Sequence, residues 1–227
     1  MAPWVSVPAS PDPPPAKVIL LAGPSGCGKT HLATESGLPL LPLDDFYRDD
    51  TAPDLPRTED GRVDWEDVGS WDLEGAVAAV TALCRGDEVT IPRYSFAENR
   101  RVEAQTIRRD GSPIVLAEGI FAADLVAPLD EAGLLADALL ICENRWLTFV
   151  RRLGRDLREG RKAPAYLVRQ GWAKTRSHRD VVDRLSGLGA RLANKREARR
   201  VLGSCVSPSV EGEVVGPAGI EPATKAL

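Results

Sequence analysis

The fold of this chain is decided by Lys17-Val18-Ile19-Leu20-Leu21-Ala22-Gly23-Pro24-Ser25-Gly26-Cys27-Gly28-Lys29-Thr30. The part before Gly23 is almost continuously apolar, which is typical of a parallel strand buried on both faces. The part from Gly23 to Thr30 fits the phosphate-binding pattern G-x-x-x-x-G-K-[ST]. It lies between a strand-like run and a helix-like run, which is the context that this pattern requires.

Each residue type in this loop has a physical task. Glycines adopt backbone torsions that are closed to other residues, and the amides that they expose form an anion site together with the helix N-terminus. The Lys29 ammonium can reach the outer phosphates, and the Thr30 hydroxyl can bind Mg²⁺. We therefore predict that a nucleoside triphosphate is held by Gly23, Pro24, Ser25, Gly26, Cys27, Gly28, Lys29 and Thr30.

Length and composition limit the remaining possibilities. A chain of 227 residues can form one α/β domain with a substantial core. Its four cysteines include no C-x-x-C pair, which argues against a disulfide framework or a zinc site and indicates a reducing, cytoplasmic environment. No apolar run approaches the length of a membrane span, and the N-terminus lacks the features of a secretory signal.

The sequence predicts one folded domain between two tails. Residues 1–16 are rich in proline and are expected to be disordered, and residues 204–227 lack hydrophobic periodicity and form a second disordered tail. The domain at 17–203 is predicted to be a P-loop NTPase-type three-layer α/β/α fold. Its sheet is mostly parallel, and an Arg-rich helical lid covers about residues 151–163.

Charge is distributed unevenly along the chain. Residues 145–200 contain 17 Lys and Arg against 5 Asp and Glu, although the whole chain has a net charge of −4. Such a segment could bind nucleic acid, or it could close over a polyphosphate. Because its arginines repeat on one face of an amphipathic helix and no nucleic-acid motif is present, we favour the lid.

Two acidic positions follow predicted strands. Asp44-Asp45 comes after the apolar stretch at 38–43, and Glu118 comes after the buried strand at 114–117. Ligands of an open α/β sheet bind beyond the carboxyl ends of the strands, so these acids are expected to face the phosphate loop. Only one of the two adjacent aspartates can point there. A helix cap or turn is the alternative role for an aspartate at this position.

Further elements are predicted from periodicity and turn signals. A helix is expected at 73–85, capped by Ser70 or Asp72, and a second one at 125–136. Residues 106–117 are expected to form a hairpin that turns at Asp110-Gly111. The prolines at 39 and 42 predict that the strand at 38–43 is paired irregularly or on one side only.

Together these motifs resemble the uridine kinase family of P-loop nucleoside kinases, whose wider relatives include nicotinamide riboside kinase and phosphoribulokinase. The resemblance covers about residues 17–165. After the phosphate loop the family has Asp-x-Phe-Tyr, matched by residues 44–47, and Phe-Asp-His-Pro-Asp-Ala-Phe-Asp, in register with 65–72. Its Tyr-Asp-Phe stretch is echoed by Tyr94-Ser95-Phe96, and its Glu-Gly-Ile and Arg-Arg-x-x-Arg-Asp motifs are matched at the positions 118–120 and 151–156.

The resemblance implies an ATP- and Mg²⁺-dependent kinase that phosphorylates the 5′-hydroxyl of a nucleoside, with uridine and cytidine first among the acceptors. It implies Asp44 as the general base, and Lys29, Arg152 and Arg155 as the charges that stabilise phosphoryl transfer. The implied metal positions are Thr30, Asp44 and Glu118. The acceptor positions are Trp65, Glu66, Tyr94 and Arg152.

Two departures from the family pattern concern the acceptor. Asn99 stands where the base-reading loop of the family has a histidine, and Glu66 replaces its ribose-binding aspartate. Nicotinamide riboside or another small hydroxyl metabolite is therefore the alternative acceptor. A nucleotide-dependent nucleic-acid-binding or regulatory protein is a third possibility. No membrane partner is expected, and the sequence leaves homo-oligomerisation open.

Overall fold

A five-stranded parallel sheet forms the centre of the protein. The computed structural model describes residues 14–142 and 178–205. The strand order is β2-β5-β1-β6-β7. The strands are β1 (Lys17–Ala22), β2 (Leu40–Pro42), β5 (Ile114–Glu118), β6 (Leu135–Ile141) and β7 (Arg191–Ala193), while β3 (Glu88–Ser95) and β4 (Arg100–Arg108) form a separate antiparallel pair.

Helices cover both faces of the sheet. They are α1 (Lys29–Ser36), α2 (Leu73–Arg85), α3 (Val126–Glu131), α4 (His178–Gly187) and α5 (Lys195–Cys205). One hydrophobic core contains buried residues of α2, α3 and α4, and the other contains those of α1 and α5. The strand β1 contributes Val18 and Leu20 to the first core and Ile19 and Leu21 to the second. The described residues thus form the predicted three-layer α/β/α fold.

Strand β1 occupies the middle of the sheet because it is apolar on both faces. It pairs in parallel with β5 on one side and with β6 on the other. Strand β2, by contrast, lies at an edge and pairs with β5 alone. Its proline at position 42 therefore does not interrupt a second ladder, which confirms the predicted one-sided pairing.

Helix α2 has the predicted bounds and one of its two predicted caps, and a glycine ends α1. Gly37 ends α1 with a φ of 69°, and the Asp72 carboxylate caps α2 by accepting a hydrogen bond of 2.9 Å from the Gly75 amide. The apolar side chains of α2 are not all in the core. Val80 and Leu83 are fully buried, whereas Leu73 is 36% exposed.

The hairpin predicted at 106–117 is wrong. Asp110 and Gly111 do form a turn with positive φ angles of 46° and 73°, but the strands on either side of it belong to different sheets. The actual hairpin is β3–β4. A turn signal fixes only the local backbone, whereas strand pairing depends on cross-strand contacts such as the Arg93–Glu103 ion pair at 2.7 Å.

The chain after β5 also differs from the prediction. The expected helix at 125–136 ends at Glu131, since Gly133 turns the backbone with a φ of 66° before β6 begins. The elements β7 and α5 were not predicted separately, and α5 ends at Cys205, two residues beyond the predicted domain boundary. The N-terminal residues 1–13, the lid at 151–163 and the tail from 206 lie outside the described residues.

Several arginines of the basic segment hold the C-terminal elements in place. Arg184 pairs with Asp124 at 3.1 Å, Arg191 with Asp137 at 2.6 Å, and Arg199 with Glu35 at 2.9 Å. The first bond joins α4 to the short helical turn at Ala122–Leu125, the second joins β7 to β6, and the third joins α5 to α1. These charges have a structural role that does not require nucleic acid.

Arg101 joins the β3–β4 hairpin to the segment that follows β2. Its Nη2 atom donates to Asp72 Oδ2 at 3.0 Å, and its Nε atom donates to the Tyr47 carbonyl at 3.1 Å. Its backbone amide donates to Asp49 Oδ1 at 2.7 Å. One side chain thus holds the hairpin, the cap of α2 and the segment after Asp44 together.

We expect Arg101→Ala to lower the free energy of unfolding by about 1–2 kcal/mol, because hydrogen bonds to charged and carbonyl groups are lost. That range is already reduced for solvent screening, since both partners of the Asp72 pair are 35% exposed. Urea unfolding measures the change. The control is Arg93→Ala, which removes an exposed pair on the same hairpin and should cost less than about 0.5 kcal/mol. Equal losses would contradict the special role of Arg101.

Candidate functional site

The phosphate-loop sequence forms a tight turn between β1 and α1. Gly23, Gly26 and Gly28 have φ angles of 145°, 85° and 93°, which a side chain would strain. A Cβ atom on Gly23 would lie 2.5 Å from the Ile141 carbonyl oxygen. Glycine at position 23 therefore allows the loop to pass directly over the end of β6.

Lys29 is held beneath this loop. Its side chain is buried, with 6% of the residue exposed, and Nζ donates to the Gly23 carbonyl at 2.9 Å. An ammonium group in this position adds a positive charge to a glycine-rich turn at a helix N-terminus, an arrangement that is typical of anion sites. The loop and Lys29 together form a cationic cradle that fits a polyphosphate.

Thr30 meets Glu118 at the carboxyl end of the sheet. The Thr30 hydroxyl donates to Glu118 Oε1 at 2.8 Å, although 88 positions separate the two residues in sequence. Burial raises the pKa of the Glu118 carboxyl, while the Lys29 charge lowers it and the neighbouring Asp44 raises it further. A buried carboxylate in contact with a hydroxyl offers oxygen ligands of the kind that a divalent cation prefers.

Asp44 lies beside Glu118. Both residues follow the ends of paired strands, since Pro42 of β2 is opposite Glu118 of β5. Asp44 Oδ1 accepts a hydrogen bond of 3.3 Å from the Ile120 amide. It also lies 3.0 Å from the position that a Cβ atom on Gly119 would occupy. Glycine at 119 is thus what allows Asp44 to approach this strand end.

The neighbouring Asp45 has a different role. Its carboxylate accepts a hydrogen bond of 2.8 Å from the Tyr94 amide and one of 2.6 Å from Gln105 Nε2. Burial raises the pKa of Asp45, and these two hydrogen bonds oppose that rise. Of the adjacent pair, Asp44 lies with Thr30 and Glu118 in what we call the strand-end cluster, and Asp45 anchors the hairpin.

An aromatic cluster lies between the segment after β2 and the hairpin. Tyr47 has four ring neighbours at centroid distances of 5.6–6.0 Å, namely Trp65, Tyr94, Phe96 and Phe121. Its hydroxyl donates to the Trp65 carbonyl at 3.2 Å. Burial raises the pKa of the Tyr47 phenol. Tyr47 stands at the centre of the cluster, a position that the sequence did not indicate.

The predicted acceptor residues are only partly brought together. Trp65 is half-buried and packs edge-to-face on Tyr47 and at 6.4 Å on Tyr94, whereas Glu66 is exposed. Tyr94 is 6% exposed, and its buried hydroxyl has no hydrogen-bond partner among the residues that the structure describes. Such a hydroxyl fits a site that a polar ligand completes. Arg152 and Arg155 lie outside the described residues.

One residue near the loop was missed by the sequence analysis. Lys195, the first residue of α5, has its Nζ atom 2.7 Å from the position that a Cβ atom on Gly28 would occupy. Only the parallel pairing of β7 with β6 brings it there. A three-residue strand without a strong pattern gives little signal for this approach.

The oxygen atoms of the strand-end cluster suit Mg²⁺. Within residues 14–142 and 178–205, no group of three or more His, Cys, Asp and Glu side chains could hold a metal by itself. The cluster offers one hydroxyl and two carboxylates, and Mg²⁺ commonly adds substrate phosphates and waters to so small a set. The residues therefore fit a metal that arrives with a nucleotide.

No helix in the described part of the chain is long and apolar enough to cross a bilayer.

The chain is similar in sequence to known proteins. The sequence model of the Phosphoribulokinase / Uridine kinase family matches residues 18–165. Uridine kinase of Schizosaccharomyces pombe is 33% identical over 157 residues, which are 64% of this chain and 33% of that protein. Uridine kinase of Chloroflexus aurantiacus is 29% identical over 168 residues, which are 70% of this chain and 77% of that protein. The chain spans about a third of the length of its fungal relatives.

The fold is also similar to that of a solved structure. A protein from Silicibacter sp. TM1040, assigned as a fructose transport system kinase, matches with a TM-score of 0.58 at 19% identity. The match covers 82% of this chain and 90% of the other. It supports the three-layer fold and nothing more specific.

Proposed function

Because the chain belongs to the phosphoribulokinase / uridine kinase family, we propose that it is an ATP- and Mg²⁺-dependent kinase of a small molecule. The γ-phosphoryl group passes to the 5′-hydroxyl of a nucleoside, with uridine and cytidine as the first candidates. One observation supports the proposal above all. The Thr30 hydroxyl lies 2.8 Å from the Glu118 carboxylate, directly after the phosphate loop and beside Asp44.

In the proposed reaction, Asp44 accepts the proton of the acceptor hydroxyl. The hydroxyl oxygen forms a bond to the γ-phosphorus as the bond from that phosphorus to the β,γ-bridging oxygen breaks, and ADP leaves. Asp44 suits this role because it borders the Thr30–Glu118 cluster, while Asp45 is engaged with the hairpin. Mg²⁺, when bound with ATP, offsets the negative charge of the phosphates.

The other residues of the site act by positioning the reactants and by stabilising charge. The amides of the glycine loop and the Lys29 ammonium bind the phosphates and hold them in line with the acceptor. Thr30 and Glu118 hold the metal position. We propose from the sequence that Arg152 and Arg155 close over the transferring group and exclude water, which would otherwise compete as the acceptor.

The acceptor is proposed to lie against the aromatic cluster. Trp65 and Tyr94 offer apolar surface to a base, and the buried Tyr94 hydroxyl offers it a polar contact. Glu66 is the proposed partner of the ribose hydroxyls. Since Glu66 and Asn99 depart from the family pattern, nicotinamide riboside and other small hydroxyl compounds stay as alternative acceptors.

A substrate panel tests the proposal. The full chain is incubated with ATP and Mg²⁺ and, one at a time, with nucleosides, nicotinamide riboside, pantothenate, ribulose 5-phosphate and fructose. ADP release and product mass are measured. We expect acceptor-dependent ADP release and a nucleoside 5′-monophosphate. The matched control is 5′-deoxyuridine, which keeps the base but lacks the accepting hydroxyl.

The outcomes separate the alternatives clearly. Phosphorylation of nicotinamide riboside or a sugar alone would keep the kinase and replace its acceptor. ADP release that is independent of every acceptor would indicate an NTPase. Salt-sensitive retention on RNA or DNA with no phosphorylated product would favour the nucleic-acid-binding alternative. Failure to bind ATP at all would overturn the proposal.

The close approach at Gly119 leads to a further prediction. Gly119→Ala is expected to lower kcat by roughly 10- to 100-fold, because displacement of a reacting group by about 1 Å has effects of this size. The added methyl would lie 2.8 Å from Leu43 Cβ and 3.0 Å from Asp44 Oδ1, so Asp44 must shift. Steady-state kinetics on the best acceptor measures the loss.

The control for this variant is Gly203→Ala on α5. A Cβ atom there meets nothing within 4 Å, so the variant should keep its activity and gain up to about 1 kcal/mol of stability from helix propensity. If Gly119→Ala keeps the parent kcat, the strand-end placement of Asp44 is not needed for turnover.

A further inference from the structure

The last helix of the described chain begins at the phosphate loop. Strand β7 pairs with β6, opposite Leu139 to Ile141, and the Ile141 carbonyl lies under Gly23. Helix α5 starts two residues after β7, at the same end of the sheet. Its first residue, Lys195, is therefore next to the loop although about 170 positions separate them in sequence.

The Lys195 side chain points at one glycine of the loop. A Cβ atom on Gly28 would lie 2.7 Å from Lys195 Nζ and 3.0 Å from its Cε. The charge of Lys195 also acts on Cys27, the residue before Gly28. Burial raises the pKa of the Cys27 thiol, while the positive charges of Lys29 and Lys195 lower it.

Helix α5 is held in place by core packing, an ion pair and a cap, so the fold itself keeps Lys195 close to the loop. Ala198 and Leu202 are buried in the core that α5 shares with α1. Arg199 Nε donates to both carboxylate oxygens of Glu35, at 2.9 and 3.1 Å. The Asn194 side chain accepts a hydrogen bond of 2.9 Å from the Glu197 amide and thereby caps the helix.

We infer that Lys195 is a second phosphate-binding lysine, which contacts the polyphosphate of the nucleotide from the side opposite Lys29. This inference rests on the proposed function. An ammonium group is a compact point charge that suits phosphate oxygens, and Gly28 contributes its amide to the same anion site. Lys195 thereby links the docking of α5 to nucleotide binding.

Calorimetry on the full chain tests the inference, with ATP, ADP and inorganic tripolyphosphate as ligands. Lys195→Gln is expected to weaken all three by about tenfold, the size of one charge-assisted contact. Lys195→Arg should restore most of the affinity. Arg196→Gln removes the same charge from the next residue, which is exposed, and should stay within about twofold of the parent. The Tm of each variant without ligand should equal that of the parent.

Each other outcome has a defined meaning. Parent-like binding of ATP and tripolyphosphate by Lys195→Gln would overturn the inference. A loss for ATP and ADP that spares tripolyphosphate would also overturn it, since that would place the contact at the base or ribose. Failure of the parent chain to bind ATP would instead overturn the proposed function. A second measurement uses the parent alone. Tripolyphosphate should protect Lys195 from acylation, as read by peptide mass spectrometry, and absence of protection would also overturn the inference.

Discussion

Lys29→Met is expected to reduce kcat by about 10²–10³-fold or more, the loss seen when one preorganised group that stabilises transition-state charge is removed. Methionine nearly preserves the length and shape of the side chain but removes its charge. Lys29 is 6% exposed and bonded to the Gly23 carbonyl, so water is poorly placed to replace it. The loss should appear mainly in kcat, because the charge on the transferring group is largest in the transition state.

Two measurements separate this effect from misfolding. The first is acceptor-dependent ADP release with the best substrate of the panel. The second is the Tm with and without MgATP, because a ligand that binds only the folded state raises the Tm in proportion to its affinity. Lys29→Met should fold, since the loop retains its three glycines, but its Tm should respond less to MgATP than that of the parent.

The control is Lys17→Met, which makes the same chemical change on the same β1–α1 unit. Lys17 is exposed at the start of β1, and its ammonium group bonds to the Gly133 carbonyl at the opposite end of the strand from the loop. Its kcat should therefore stay within about twofold of the parent, as is usual for surface substitutions. If Lys29→Met keeps kcat within tenfold while folded, the Lys29 charge has no part in the chemistry.

Features specified by local sequence could be predicted. Strand β1 has the predicted bounds Lys17–Ala22, and α2 has the predicted bounds Leu73–Arg85 with its Asp72 cap. In both cases, apolar periodicity and a flanking signal lie within about fifteen residues. The shared location of the two strand-end acids, Asp44 and Glu118, could also be inferred, because parallel strands present their carboxyl ends at one edge of the sheet.

Features that depend on distant partners could not be predicted. The sequence could not assign separate roles to Asp44 and Asp45, because the Asp45 partners Tyr94 and Gln105 are 49 and 60 positions away. The hairpin was misplaced for the same reason, since Asp110-Gly111 is a strong turn signal between strands of different sheets. Lys195 reaches the loop only through the placement of β7 at the sheet edge.

Asp44→Asn is expected to lower kcat by about 10²–10⁴-fold, the usual contribution of a positioned general base. Asparagine keeps the shape of the side chain, and its oxygen can still accept the hydrogen bond from the Ile120 amide, but it cannot take up the proton of the acceptor hydroxyl. The Kd for ATP should change by no more than about threefold in the absence of Mg²⁺, because the loop and Lys29 bind the phosphates.

The adjacent carboxylate supplies the matched control. Asp45→Asn makes the same change one residue further on, where the side chain anchors Tyr94 and Gln105. It should lower the Tm and leave kcat within about threefold of the parent, because loss of a charge-assisted hydrogen bond costs about 1–3 kcal/mol of stability. Asp44→Asn is thus expected to lower kcat, whereas Asp45→Asn is expected to lower the Tm. If Asp44→Asn turns over as fast as the parent, or if Asp45→Asn loses as much activity with its Tm unchanged, the base has been assigned to the wrong residue.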